Sequence, residues 1–296
     1  MLKRSEVEGL LDLGALLAVL EAGFRAISAG ETSVPPRIAS LSPDGLLGVM
    51  PAWLPGTLST KLVSVFPGNH EKGLPSHQAL VALFDERTGA PLALLDGTYI
   101  TAIRTAAASG VATRLLARPD ASRVAILGAG VQGQSHERIL RDELGYTDIA
   151  LAARSRGDSF VDAVRTADIV CCCTDALEPV LRPEWLRPGT HVNSVGGSPR
   201  GRGELPAELF ESGARLFVET RGVFSPAPAG APELAGLDPA LGTELGEALA
   251  GTRPGRSGVE EVTVYKSVGH AVEDAVAARL VYDRAVAEGV GVTVTL

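Results

Sequence analysis

The sequence predicts an α/β protein in which a parallel-sheet domain is inserted into a smaller α+β domain. Three observations carry this. From Arg123 onward, short apolar runs alternate with helical stretches, the pattern of a parallel sheet. Between residues 33 and 105, Pro35, Pro36, Pro43, Pro51, Pro55, Pro67 and Pro75 punctuate short β-like runs, which reads as a mostly antiparallel sheet. A long Ala-rich helix and a tail then close the chain with no evident place in the parallel sheet, so they return to the first domain. The predicted division is 1–117 plus 270–296 for the outer domain and 118–269 for the inserted one.

Taken in order, Ser5 and Glu8 have capping-box spacing, and Asp12 is placed to cap a second helix. Leu13, Leu16, Leu17, Leu20, Phe24 and Ile27 recur at helical spacing, and Gly30 ends that helix. Strands are expected over 46–50, 60–66, 79–85 and 91–95, then a helix over 101–117 stopped by Pro119. Further strands are expected at 123–127, 148–153, 168–173, 190–195 and 215–219. The segment 221–243, rich in Pro, Gly and Ala, reads as loop. A short helix at 244–250, a strand at 262–265 and a helix over 269–288 follow. Residues 290–296 alternate and are expected to rejoin the first domain as a strand.

Composition excludes some functions. The net charge of −8 argues against nucleic-acid binding, which needs a basic face. No apolar core of signal-peptide type follows the basic start, and no run of about 18 apolar residues exists. A cytoplasmic chain with no membrane partner is expected. Cys171, Cys172 and Cys173 are adjacent, and neighbouring strand residues point to opposite faces. They form neither a disulfide framework nor a metal cage, and no metal is expected.

The most informative local feature is Arg123–Gly133, an apolar run meeting Gly128, Gly130 and Gly133 ahead of an amphipathic stretch. Gly128 makes the tight turn, Gly130 lets backbone approach a pyrophosphate, and Gly133 lets helix pack on strand. This is the opening of a Rossmann domain, with Gly128, Gly130, Val131, Gln132 and Gly133 as candidate cofactor contacts. The second strand ends in Arg154-Ser155-Arg156, without the acid that receives the ribose of NAD. Arg154 and Arg156 could pair with a 2′-phosphate and Ser155 could donate to it, so NADP(H) is preferred, with NAD(H) possible and Asp158 close by. Only about a dozen residues then lead to the next strand, where a full Rossmann half needs roughly thirty. A sheet trimmed by one strand and an open adenine end are expected, with two helical turns at 159–166.

Several further segments come in one order: Pro35-Pro36-Arg37, Val49-Met50-Pro51-Ala52, Thr60-Lys61-Leu62-Val63, Pro75-Ser76-His77-Gln78-Ala79 and Arg104-Thr105-Ala106-Ala107. Val195-Gly196-Gly197, Gly203-Glu204-Leu205, Glu244-Leu245-Gly246-Glu247 and Ser267-Val268-Gly269 with Glu273-Asp274 continue it. With the glycine turn, they make the chain resemble the ornithine cyclodeaminase/mu-crystallin family over nearly its whole length. The resemblance implies a substrate-binding and dimerisation domain around the Rossmann domain, and hydride transfer between NAD(P) and an amino or imino acid. It implies that Arg37, Lys61 and Arg104 surround a substrate carboxylate, which forked and compact cations grip well. A homodimer is implied likewise.

Two departures matter. Ornithine cyclodeaminases carry an Asp where this chain has Ser198 and a Glu where it has Gly48. Both carboxylates that would receive a diamine are missing, and the chain sides with the mu-crystallin-like ketimine reductases. The leading expectation is reduction of a cyclic imino acid such as pyrroline- or piperideine-2-carboxylate. Hydride would arrive near Thr174, Val195, Gly196 and Ser198, with Ser267 among the cofactor contacts. Lys61 or His77 is the candidate catalytic acid, if one is used. Ser76, His77 and Arg104 would also order the nicotinamide end. Other readings are an alanine dehydrogenase-like enzyme, a cyclodeaminase, and a cofactor-bound ligand-binding protein of mu-crystallin type.

Overall fold

The computed structural model describes residues 1–196, 203–226 and 229–295, with the backbone alone at His70. The chain forms two compact units, Met1–Arg104 with His270–Leu296, and Thr105–Gly269.

Helices α1 (Arg4–Leu10) and α2 (Leu13–Ser28) open the first unit. The first capping box sits at Lys3 and Glu6 rather than at Ser5 and Glu8, with Lys3 N donating to Glu6 Oε2 at 2.9 Å. That start turns Val7 and Leu10 inward. Asp12 caps α2, accepting from Ala15 N at 2.7 Å. Strands β1 (Ile38–Leu41), β2 (Leu46–Leu54), β3 (Thr57–Val65), β4 (His77–Phe84) and β5 (Pro91–Asp96) form one antiparallel sheet in sequence order. The sequence reading missed β1, whose short edge position buries none of its residues and leaves no alternation to read. Helix α3 (Gly97–Leu116) then carries the chain into the second unit. The changeover falls within α3 rather than at residue 118, because its second half bonds to the parallel-sheet unit: Asn193 donates to Thr113 at 2.9 Å.

The second unit contains β6 (Arg123–Leu127), α4 (Val131–Asp142), β7 (Asp148–Ala152), α5 (Phe160–Arg165), β8 (Ile169–Cys172), β9 (His191–Ser194), α6 (Ala207–Glu211), β10 (Arg215–Val218), β11 (Gly242–Glu244), α7 (Leu245–Ala250) and β12 (Thr263–Lys266). Its sheet is parallel throughout, in the order β11-β10-β12-β9-β8-β6-β7. Here β7 is the edge, and α5, capped by Ser159, spans the shortened connection to β8. This is the trimmed sheet expected from the sequence. The central strands are buried on both faces, as the apolar runs predict. The three cysteines are buried free thiols, and burial pushes Cys171 up to about 12. Over the described residues of 221–243 the backbone forms 3₁₀ turns and leads into β11, which the loop reading does not anticipate.

Helix α8 (Ala271–Glu288) returns to the first unit and packs on α2, β2, β3 and β4. The expected C-terminal strand does not form over the described residues 290–295. Val292 instead exchanges backbone hydrogen bonds with Met1, and Leu2 takes the place beside Leu95 at the sheet edge.

Candidate active site

Strand alternation sets up a charged cluster in the first unit. On β3, Thr57, Ser59 and Lys61 turn to the buried face, and Lys61 pairs across the sheet with Met50 and Val81. A lysine on such a face must find a counter-charge, because burying an unpaired ammonium is costly. It finds Asp274, whose Oδ2 lies 2.6 Å from Lys61 Nζ. Asp274 Oδ1 accepts from Arg104 Nε at 2.9 Å, and Glu273 Oε2 accepts from Arg104 Nη1 at 2.9 Å. All four side chains are buried.

Helix α8 delivers the acids because its first turn starts at this sheet face. His270 is its N-cap, and its backbone N–H donates to Glu273 Oε1 at 2.8 Å. Early acids also suit the helix dipole. Burial pushes the His270 imidazole down to about 4, with Arg37 adding to the effect, so it is neutral near pH 7. Its Nδ1 accepts from Val272 N at 3.3 Å.

The charges tune one another. Burial pushes the Lys61 ammonium down to about 8; Asp274 opposes this, while Arg104 and Arg37 reinforce it. Burial alone would raise Asp274, yet Arg104 and Lys61 outweigh it and hold the carboxyl below its ordinary value. Glu273 is pushed up by burial against the pull of Arg104. Arg104 stays charged, its burial overcome by Asp274 and Glu273.

The other first-unit candidates are more exposed. Arg37, half-buried just before β1, acts electrostatically on both Lys61 and His270. His77 begins β4 opposite Val65, on the same face as Lys61 but two alternations further along. It is exposed, and its Nδ1 lies 3.2 Å from Ser76 Oγ.

The second unit carries the glycine turn. Gly128 has φ +110°, which favours glycine, and a Cβ there would stand 2.5 Å from Cys173 O. At Gly133 a Cβ would stand 1.8 Å from Gly128 O, so the helix can approach the strand only without one. At Gly130 a Cβ would meet nothing within 4 Å. Gly130 is also the N-cap of α4 and lends no side chain to its free amides. Val131 and Gln132 follow in the first turn of α4. An open cradle beside uncapped helix amides fits a dinucleotide pyrophosphate.

At the end of β7 the two arginines differ. Arg156 is committed, with Nε 3.0 Å from Asp158 Oδ2 and Nη2 donating to Leu151 O. Arg154 lies over the Phe160 ring at 4.9 Å and is exposed, as is Ser155. Thr174 N and Oγ1 both donate to Glu204 Oε1 at 2.6 Å, so that hydroxyl already has a partner. Gly196 N donates to Glu204 Oε2 at 2.8 Å, and Gly196 O accepts from Lys266 Nζ at 3.0 Å. Val195 N donates to Cys172 O, and Ser267 N to Ser194 O. Buried Ser267 braces the turn by accepting from Gly269 N at 3.0 Å. Ser198 lies outside the described residues.

Sequence reading assigned no role to Glu273, Asp274, Glu204, Lys266 or Glu233. Lys266 Nζ and Glu233 Oε1 form a buried pair at 2.9 Å. The readable signal for Glu273 and Asp274 is two acids in an otherwise Ala- and Val-rich helix start.

With the candidate residues of each unit described, the comparisons with known proteins decide the family. The sequence profile of the ornithine cyclodeaminase/mu-crystallin family matches residues 1–159 and 155–289. The chain belongs to that family. It is 42% identical over 257 residues to ketimine reductase mu-crystallin of Mus musculus, covering 81% of this chain and 80% of that protein. It is similar to Δ1-pyrroline-2-carboxylate reductase of Thermococcus litoralis, solved with NADH and L-proline: TM-score 0.87, 34% identity, 99% of each chain. It is also similar to an archaeal alanine dehydrogenase dimer with bound NAD: TM-score 0.86, 29% identity, 99% of this chain and 98% of that one.

Proposed function

We propose that this family member is an NAD(P)H-dependent oxidoreductase that reduces the C=N bond of a cyclic imino acid such as pyrroline- or piperideine-2-carboxylate. The observation that carries this is the buried pair of cations, Lys61 and Arg104, sharing one carboxylate on the inner sheet face. Arg37 adds a third positive charge, so three cations face the two acids Asp274 and Glu273 and the cluster favours an anion. The acid-free Gly48 lies on the same face, beside Val63, and offers no partner to a second amine. A carboxylate on a neutral or protonated ring imine fits these charges better than a diamine does.

The cofactor, when bound, supplies the hydride. The Gly128–Gly133 turn and the α4 amides hold its pyrophosphate. Arg104 and Arg37 hold the substrate carboxylate and so fix which face of the imine is presented. Lys61 is the proton donor to the imine nitrogen, its depressed pKa of about 8 leaving it charged near neutral pH yet able to part with a proton. His77 serves with Ser76 in ordering the nicotinamide end. The exposed Arg154 and Ser155, with no acid ending β7, support a preference for NADP(H).

A homodimer goes with this reading. The outer sheet face of the first unit carries Ile38, Val49, Leu62 and Leu80 in register across four strands. Ile38 is 67% and Leu80 46% exposed, an apolar surface suited to a two-fold contact. Three unpaired thiols suit a cytoplasmic setting, and no described helix is long and apolar enough to cross a membrane.

Incubation with pyrroline-2-carboxylate and NADPH, followed by detection of the cyclic amino acid, tests the activity. Product formation is expected. Tight NADPH binding without product from any imine would favour the ligand-binding reading instead.

A further inference from the structure

Asp274 joins two cations that lie far apart in sequence. Its Oδ1 accepts from Arg104 Nε at 2.9 Å, and its Oδ2 stands 2.6 Å from Lys61 Nζ. The two oxygens of a carboxylate have a fixed spread, so the ammonium and the guanidinium are held at a set separation. Arg104 is braced a second time by Glu273 at 2.9 Å, whereas Lys61 has Asp274 as its one ion-pair partner among the described residues.

We propose that Asp274 is the positioning residue that makes Lys61 the proton donor to the imine nitrogen, while Glu273 reserves Arg104 for the substrate carboxylate. This rests on the imine-reductase reading above. In the step, the imine carbon gains a hydride and the C=N π bond breaks. Its electron pair forms an N–H bond to a proton from Lys61 Nζ. Lys61 is left as a neutral amine, still beside Asp274, and is reprotonated from water.

The surroundings explain why Asp274 is needed. Lys61 is flanked on the sheet by Met50 and Val81, which offer no charge. Arg104 from α3 and Arg37 before β1 repel its proton, and neutral His270 at the cap of α8 does not hold it. Glu273 is turned to Arg104 and to the His270 backbone. Asp274 is the group that opposes burial, and Lys61 settles at about 8. Without that charge the ammonium would lose its proton at a lower pH.

The test compares pH profiles of kcat for imine reduction in wild type, Asp274→Asn, Glu273→Gln and Lys61→Arg, with thermal melts as fold controls. Wild type is expected to lose kcat above an apparent pKa near 8. In Asp274→Asn that limb moves down by about one pH unit or more, which lowers kcat about tenfold on the alkaline side. In Glu273→Gln the limb stays and KM rises by about fivefold. Lys61→Arg, always charged, removes the limb. A second readout needs no turnover: calorimetry of L-proline binding to the NAD-loaded protein, in buffers of different ionisation enthalpy, counts protons exchanged near pH 8. Asp274→Asn is expected to change that count. If wild type reduces no imine, the enzymatic reading and the donor role fall together, while the proton count still reads whether Asp274 holds the proton on Lys61. An unchanged limb and count in folded Asp274→Asn would overturn the proposal. If that variant does not fold, a limb near 8 that persists in Lys61→Arg overturns it.

Discussion

Lys61, Arg104, Glu273 and Asp274 put four ionisable side chains into the interior of one unit, while Gly128, Gly130 and Gly133 in the other keep side chains out of a turn. The first half works by mutual charge pairing across long sequence separations. The second works by backbone donors and empty space within six consecutive residues. The difference teaches where each half is vulnerable: the charged half breaks when an atom group is removed, and the glycine half breaks when one is added.

The largest expected effect is a removal. Arg104→Ala leaves buried Glu273 without an ion-pair partner among the described residues and Asp274 with Lys61 alone, and breaking such a network costs about 3–5 kcal/mol. Urea melts should show that loss, and KM for the imino acid should rise more than about tenfold. An unchanged KM would take Arg104 out of the carboxylate grip.

The next is an addition. Gly133→Ala puts a Cβ 1.8 Å from a backbone oxygen that cannot swing away. Fluorescence titration should show NADPH binding weakened by about a hundredfold. Gly130→Ala sharpens the point, because that Cβ meets no protein atom. Its melting temperature should hold while the NADPH Kd rises by about tenfold. If both Kd values stay at the wild-type level, the pyrophosphate lies elsewhere.

A pH effect separates titrating from non-titrating groups in the second unit. Burial pushes His136 down to about 4, and its ring bonds Ser109 at 2.9 Å and Gln132 O at 2.8 Å. The folded value lies below the unfolded one near 6.5, so the unfolded chain takes up its proton first. The stability tied to neutral His136 is complete above that value and is lost as pH falls toward about 4. Relative to His136→Gln, wild type should therefore lose about 1.4 kcal/mol per pH unit within this window. Parallel profiles for the two proteins would mean His136 already titrates normally. The smallest effect is expected at Arg154→Ala, which should weaken NADPH by about fivefold more than NADH. Equal weakening would move the 2′-phosphate contact.

The same contrast governs what the sequence discloses. The glycine turn is legible because strand, turn and helix adjoin, and the short run before β8 gives the trimmed sheet. The charged half is only partly legible. Lys61 and Arg104 stand in recognisable segments, but their partners lie on α8, some 170 residues from Arg104. No local pattern links them. Glu233 is hidden for another reason: it sits in a Pro- and Gly-rich stretch, and its pairing with Lys266 depends on how that stretch folds over the sheet. The tail misleads because its alternation suggests a strand, whereas Leu2 occupies the place beside Leu95.

The central claim is the proposed imine reduction by a chain that carries a cationic cluster in one unit and a glycine turn in the other. Its most direct test is a steady-state comparison of pyrroline-2-carboxylate, pyruvate with ammonia, and ornithine, each with NADPH and NADH. The account predicts the cyclic imine as best substrate, with kcat/KM at least about tenfold above the others and NADPH favoured. A preference for ornithine, or for pyruvate with ammonia, would contradict it.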